Sequence, residues 1–366
     1  MSMPEEEKIE RTLEEVGERF IKNRIISRLN DGTEATHTLL GGLGHDAGVL
    51  MNPLSPDDTL LVNTDRSGVN KAYNLGLAGG ECIGDFAVSH AISDILATGG
   101  VPFAVSVALM LPGNTTIGLL DEIIDGVKQA CSDYGVIITG GDTKKSETLS
   151  LVVTALGRAP VKNLLFRTTP RVGDKLVVSG SLGSMLLGSI VHKRKLQVSD
   201  PVRQLLVRAL IHQRPPFRLG LAMSEACVAH ACTDISDGLQ GACRNMITPS
   251  GFGVEIIESQ IPIHPDLQEL AGSLFITPLQ LSMAGGDWQF LYCIPEEHLI
   301  GLDAIAQKSE TTLTVIGEII KPQGVWAKTL SGERRKLRQI EHDSFATRSD
   351  GKSYFEFLSD PQELFE

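Results

Sequence analysis

The sequence predicts an α+β protein of two domains. At 366 residues the chain is longer than one ordinary core requires. Apolar segments with strand and helix periodicities follow one another along most of it. Between Asn163 and Gly173 the composition shifts to Arg, Thr, Pro and Gly, the mark of a boundary. The expected division is an N-terminal domain 1–165, a C-terminal domain 166–330 and a polar tail 331–366.

Residues 5–30 read as a helix, because Ile9, Leu13, Val16, Phe20, Ile21, Ile25 and Leu29 recur at helical steps until Asp31-Gly32 stops them. Gly41 to Gly44 make a turn before Asp46, and Thr59 to Asn63 is a β-prone strand leading to Asp65. A second helix spans 80–98, with Ile83, Ala87, Ala91, Ile95 and Thr98 on one face, stopped by Gly99-Gly100. Pro102 then leads into strand 103–110. Helical spacing returns over 116–134 through Ile117, Leu120, Ile124, Val127 and Cys131. Strand 136–138 runs into a turn, Gly140-Gly141-Asp142-Thr143, and strand 148–157 follows.

The second half opens with strand 175–179 and the Gly-rich turn 179–184, which enters a helix. An exposed polar connection over 193–204 precedes helices at 203–212 and 217–229. Then come helix 236–246, strand 253–258, the turn Gly285-Gly286-Asp287, strand 288–294, helix 296–307 and strand 312–319. Beyond Lys321 the pattern is polar and weak. Each half thus carries strands, long helices and an Asp in a Gly-flanked turn.

The net charge of −12 disfavours nucleic acid or an anionic membrane as the main partner, since both select a basic face. Six cysteines, none in a Cys-x-x-Cys pair, read as reduced buried thiols in a cytoplasmic protein. Cys227 and Cys232 flank His230 without a second metal-like cluster, which argues against zinc. The acidic start has no apolar core and so is no secretory signal. The longest apolar run, Val101 to Leu111, is too short to span a bilayer. The expected partner is a small molecule.

Aspartates beside Gly, Ser or Thr recur where elements begin or end: Asp46, Asp65, Asp94, Asp142, and Asp234 with Asp237. Convergent carboxylates are hard oxygen ligands, and beside Gly-rich turns they suggest Mg2+ and a polyphosphate. Neither a Walker loop nor a kinase Gly-rich loop is present. In Gly140-Gly141-Asp142-Thr143 the glycines let backbone N–H groups approach phosphate, although such a turn is common without any ligand. Asp234-Ile235-Ser236-Asp237-Gly238 puts two acids and a Ser before a helix, more than a cap requires. Asp94 is costly inside an apolar helix unless it is paired or binds a cation. Arg167 can contact phosphate or simply be solvated. Trp288 can cover a substrate ring or fill a core.

In this order the motifs resemble the superfamily of aminoimidazole-ribotide synthetase, selenophosphate synthetase, the hydrogenase-maturation carbamoyl dehydratase and thiamine-monophosphate kinase. The resemblance runs from about Gly17 to Gly317 and is strongest to thiamine-monophosphate kinase. It rests on Gly44-His45-Asp46-Ala47, Thr64-Asp65, Ile92-Ser93-Asp94 with Thr98-Gly99-Gly100, Gly141-Asp142-Thr143, Asp234 to Leu239, and Gly285 to Leu291. It implies a PurM-like architecture, with N-terminal halves pairing into a homodimer through a shared β-barrel and an α/β sandwich as C-terminal half. Active sites would lie in clefts between halves. The resemblance implies Mg2+ held by Asp46, Asp65, Asp94, Asp142, Asp234 and Asp237, of which Asp94, Asp142 and Asp237 are the catalytic candidates. Gly141, Asp142, Thr143, Arg167 and Ser236 would contact ATP.

On the acceptor side the chain departs from the family. Gly68-Val69-Asn70-Lys71 replaces the family's Gly-Val-His-Phe, and Gly286-Asp287-Trp288-Gln289 replaces its Gly-Glu-Asp-Tyr-Glu. Asn70, Asp287 and Trp288 are therefore the candidate acceptor residues. The expected activity is Mg2+-dependent transfer of the ATP γ-phosphoryl group to a small, phosphorylated acceptor. The alternatives are a synthetase that activates an amide or carboxyl oxygen, and a nucleotide-binding homologue without catalysis.

Overall fold

In the computed structural model, residues 11–16, 18–30, 39–40, 49–50, 55, 57–248, 250–338 and 361–366 are described. The chain forms two compact units, one of residues 1–96 and 100–162, the other of 97–99 and 163–366.

The first unit begins with α1 (Leu13–Val16) and α2 (Glu18–Asn30), which occupy the stretch expected as one helix; its start, with Ile9, lies outside the described residues. Short strands β1 (Leu39–Leu40) and β2 (Val49–Leu50) pair antiparallel. Then follow β3 (Asp58–Ser67), α3 (Lys71–Asn74), α4 (Glu81–Ala97), β4 (Val101–Leu111), α5 (Ile117–Tyr134), β5 (Ile137–Lys145) and β6 (Ser150–Pro160). The sheet order is β3-β6-β4-β5, antiparallel except for the parallel pair β4/β5.

Period-two alternation gives this sheet two unlike faces. Leu151, Val153 and Ala155 of β6 are buried, as are Val105 and Leu109 of β4. On the other face Leu60 and Val62 of β3 are 51% and 61% exposed. The sheet is open at β3 and β5, and among the described residues it closes no barrel. Helix α5 starts at Thr116, whose side chain accepts the Leu119 N–H, and stops at left-handed Gly135. Arginines join α2 to α5: Arg24 Nε donates to Asp121 Oδ1 at 3.0 Å, and Arg28 reaches Asp121 at 3.5 Å and also pairs with Asp125.

The second unit contains β7 (Lys175–Ser179), α6 (Ser184–Arg194), α7 (Asp200–Ile211), α8 (Phe217–Ala226), β8 (Ala231–Asp234), α9 (Gly238–Ile247) and β9 (Gly253–Ile257). It continues with α10 (Pro265–Ser273), α11 (Pro278–Ser282), β10 (Phe290–Ile294), α12 (Leu302–Ser309), β11 (Leu313–Ile320), β12 (Gly324–Lys328) and β13 (Arg334–Lys336). Its seven-stranded sheet runs β13-β12-β9-β11-β7-β10-β8, with only β12/β9 parallel. Leu176, Val178, Leu291 and Cys293 of the central strands join Leu239, Ala242 and Met246 of α9 in one core.

Three strands of this second unit depart from the sequence reading. β8 is four residues long, too short to show a period. β12 and β13 lie where a weak polar pattern was expected, and they extend the sheet with Val325 and Ala327 buried beneath an edge of Arg and Lys. Charge on an edge strand hides its alternation.

Candidate active site

In the first unit, Asn63, Asp65 and Ser67 stand at steps of two on β3 and so share one face. Asn63 Nδ2 donates to Asp65 Oδ2 at 2.6 Å and reaches the Ala91 carbonyl of α4 at 3.4 Å, so this face looks onto α4. That helix is buried around most of its girth. Phe86, His90 and Asp94, at steps of four, form its half-buried stripe. His90 stacks on Phe86 with centroids 5.8 Å apart. Its Nδ1 lies 3.0 Å from Ser67 Oγ and its Nε2 lies 4.0 Å from Asp65 Oδ1. Asp94 follows on the next turn of the same stripe. His90 escaped the motif reading; its one signal was its place four residues before Asp94.

The segment Gly140-Gly141-Asp142-Thr143, expected as a turn, lies inside β5. The β4/β5 register slips between Val105 and Ser106, so Thr139 bulges out and pairing resumes at Gly140. A Cβ on Gly141 would overlap the Val107 carbonyl, so glycine is required there by the strand pairing itself. Asp142 is exposed, and its Oδ1 accepts the Thr143 N–H at 2.8 Å.

The register also fixes spacing. Asp65 pairs with Val153, Val153 with Val107, and Val107 with Gly141. Asp65 and Gly141 therefore share one row at opposite edges of the sheet, three strand spacings or roughly 14 Å apart. The first unit brings Asp65 to His90 and not to Asp142. Asp46 lies outside the described residues.

In the second unit, β8 delivers Asp234, 5% exposed, with Arg167 Nη2 4.0 Å from its Oδ1. Ser236 is half-buried, and Asp237 is exposed at the N-cap position of α9 without a side-chain cap bond. Backbone pairing holds this loop. Ile235 N–H donates to the Gln289 carbonyl at 2.7 Å, and Gly286 N–H to the Ser236 carbonyl at 3.1 Å. A Cβ on Gly285 would overlap the Ser236 carbonyl, so the two loops touch through bare backbone.

Of the three residues expected on the acceptor side, Asn70 and Trp288 are buried and Asp287 is half-buried. Asn70 caps α3, its Oδ1 accepting the Ala72 N–H at 2.7 Å. Asp287 caps α6, accepting Gly183 N–H at 2.6 Å and Met185 N–H at 3.1 Å. Burial pushes the Asp287 carboxyl up to about 6, against the opposite pull of those backbone amides. Trp288 is 3% exposed and adopts φ +52°, a left-handed conformation uncommon for a bulky residue.

Among the described residues no three His, Cys, Asp or Glu side chains gather into a metal cage. Such a cage is not what magnesium needs. It keeps several waters and takes one or two carboxylates together with substrate phosphates. Exposed Asp142 and quarter-exposed Asp65 fit that donor chemistry. Thiol chemistry finds no support at the buried cysteines, since burial pushes Cys131 and Cys243 up to about 12 and Cys82 to about 11. No described helix is long and apolar enough to cross a membrane.

Comparison with known proteins first defines a class. The family model described as AIR synthase related protein, N-terminal domain, matches residues 44–159, and the corresponding C-terminal domain model matches residues 171–327. A thiamine-monophosphate kinase of Methanospirillum hungatei JF-1 is 30% identical over 250 residues, covering 68% of this chain and 79% of that protein. Within the AIR synthase related class, the chain belongs to the thiamine-monophosphate kinase family. The crystal structure of thiamine-monophosphate kinase from Stenotrophomonas maltophilia K279a aligns with a TM-score of 0.72 at 25% identity, covering 85% of this chain and 95% of that one. AaThiL complexed with AMPPCP and TMP shares the fold, with a TM-score of 0.65 at 24% identity over 88% of this chain and 96% of that one.

Proposed function

We propose that this protein is a Mg2+-dependent phosphotransferase that passes the ATP γ-phosphoryl group to a small phosphorylated acceptor, with thiamine monophosphate as the first candidate. The observation that carries the reading is Arg167 beside buried Asp234, on a loop immobilised by backbone pairing to Gly286 and Gln289. A guanidinium held by a carboxylate is a ready fork for phosphate oxygens. The names of the relatives support ATP as donor.

Asp65, Asp94, Asp142, Asp234 and Asp237 would hold magnesium, which when bound neutralises charge on the phosphate oxygens. Gly141, Thr143 and Ser236 would offer polar contacts to the nucleotide. The protein's own contribution is positioning and preorganised charge. Asn70, Asp287 and Trp288 would shape the acceptor side by holding α3 and α6 in place.

A homodimer is part of this proposal. Asp65 and Asp142 stand at opposite sheet edges, so a second copy is the simplest way to bring such groups to one nucleotide. The exposed Leu60 and Val62 face supports the same pairing, which would complete a shared barrel. Six free cysteines accord with a cytoplasmic setting.

The test is transfer of label from γ-labelled ATP to thiamine monophosphate with magnesium present. We expect labelled thiamine diphosphate, and turnover lower by on the order of 100-fold in Asp142→Ala. Absence of transfer would overturn the acceptor; full turnover in the variant would overturn the site.

A further inference from the structure

The polar group around Asp65 gives His90 a part that no motif assigns. Ser67 is 2% exposed, so its hydroxyl needs a partner inside the protein, and His90 Nδ1 at 3.0 Å supplies one. The other ring nitrogen looks toward Asp65 Oδ1 from 4.0 Å. A carboxylate favours an N–H over a lone pair, and the tautomer with its proton on Nε2 would present one to Asp65 while accepting the Ser67 hydroxyl at Nδ1. Phe86 fixes the ring plane by stacking. Asn63 holds Asp65 Oδ2 at 2.6 Å. The separation of 4.0 Å is beyond a hydrogen bond, so any action of the ring on Oδ1 is electrostatic.

We propose that His90 is a positioning residue for Asp65, anchored by Ser67 and Phe86, and that it aims the carboxylate at a divalent cation. The inference rests on the magnesium-dependent reading above. Groups that orient a ligating carboxylate typically change metal affinity by about 10- to 100-fold when removed.

The experiment titrates magnesium into wild type, His90→Ala, His90→Gln and Ser67→Ala by calorimetry, with a non-hydrolysable ATP analogue present, and records melting temperatures in parallel. We expect magnesium affinity to fall about 10- to 100-fold in His90→Ala. His90→Gln, whose amide can still present an N–H to Asp65, should recover part of it. Ser67→Ala should weaken magnesium less than His90→Ala at a similar cost in melting temperature. In the metal-free protein, side-chain nitrogen NMR should find the His90 proton on Nε2. Wild-type magnesium affinity in His90→Ala, with only the melting temperature lowered, would overturn the role of His90 and leave the phosphotransfer reading standing. Failure of wild type itself to bind the magnesium–nucleotide pair would overturn that reading and this inference with it.

Discussion

Asp94 and Arg167 show how much a single residue tells before its neighbours are known. An acid within an apolar helix pointed to a costly and therefore purposeful place. Asp94 lies on the half-buried stripe of α4, with Phe86 and His90, rather than against its apolar face. What the sequence withheld was the group across from that stripe, because the pairing of Ser67 with His90 joins residues far apart in the chain. Arg167 was ambiguous alone and gains meaning from its distance of 4.0 Å to Asp234. Arg167→Ala should weaken binding of a non-hydrolysable ATP analogue about tenfold or more, read by calorimetry. Arg167→Lys should recover only part, since a point charge lacks the fork. Equal affinity in all three proteins would remove Arg167 from the nucleotide site.

Among elements, long amphipathic ones were legible and short or charged ones were not. Helix α5 was expected over 116–134 and spans Ile117–Tyr134, because Thr116 and Gly135 punctuate a clear period. The bulge in β5 was unreadable, since a Gly-Gly-Asp sequence serves a turn and an interrupted strand equally well. Asp287 makes a prediction at this scale. Its carboxyl is raised from 3.8 to about 6 by burial at the α6 N-terminus, so the folded state binds its proton more tightly than the unfolded chain does. The resulting stabilisation is full below about 4 and is lost as pH rises through about 6. The melting temperature of wild type relative to Asp287→Asn should fall across that window and level off above it. A constant difference would show that Asp287 does not titrate there.

At the scale of the whole molecule, the alternation of strands and helices was enough to read an α+β chain. The open edge of the first sheet could not be read, because strand order depends on pairings such as Asp65 with Val153. If the exposed face of that sheet seats a second copy, Val62→Lys should yield monomers in sedimentation equilibrium while leaving the far-ultraviolet dichroism unchanged. A dimer in that variant would move the interface elsewhere.

The arginines of α2 have a practical bearing on where the chain can be cut. Asp121 is 7% exposed on α5 and is met by Arg24 and Arg28, which come from the first thirty residues. A shortened protein starting at residue 31 would lose both cationic partners of that carboxylate together with the helix that carries them. Trimming the opening helices should therefore lower the melting temperature, read by thermal denaturation of the shortened protein beside the full chain.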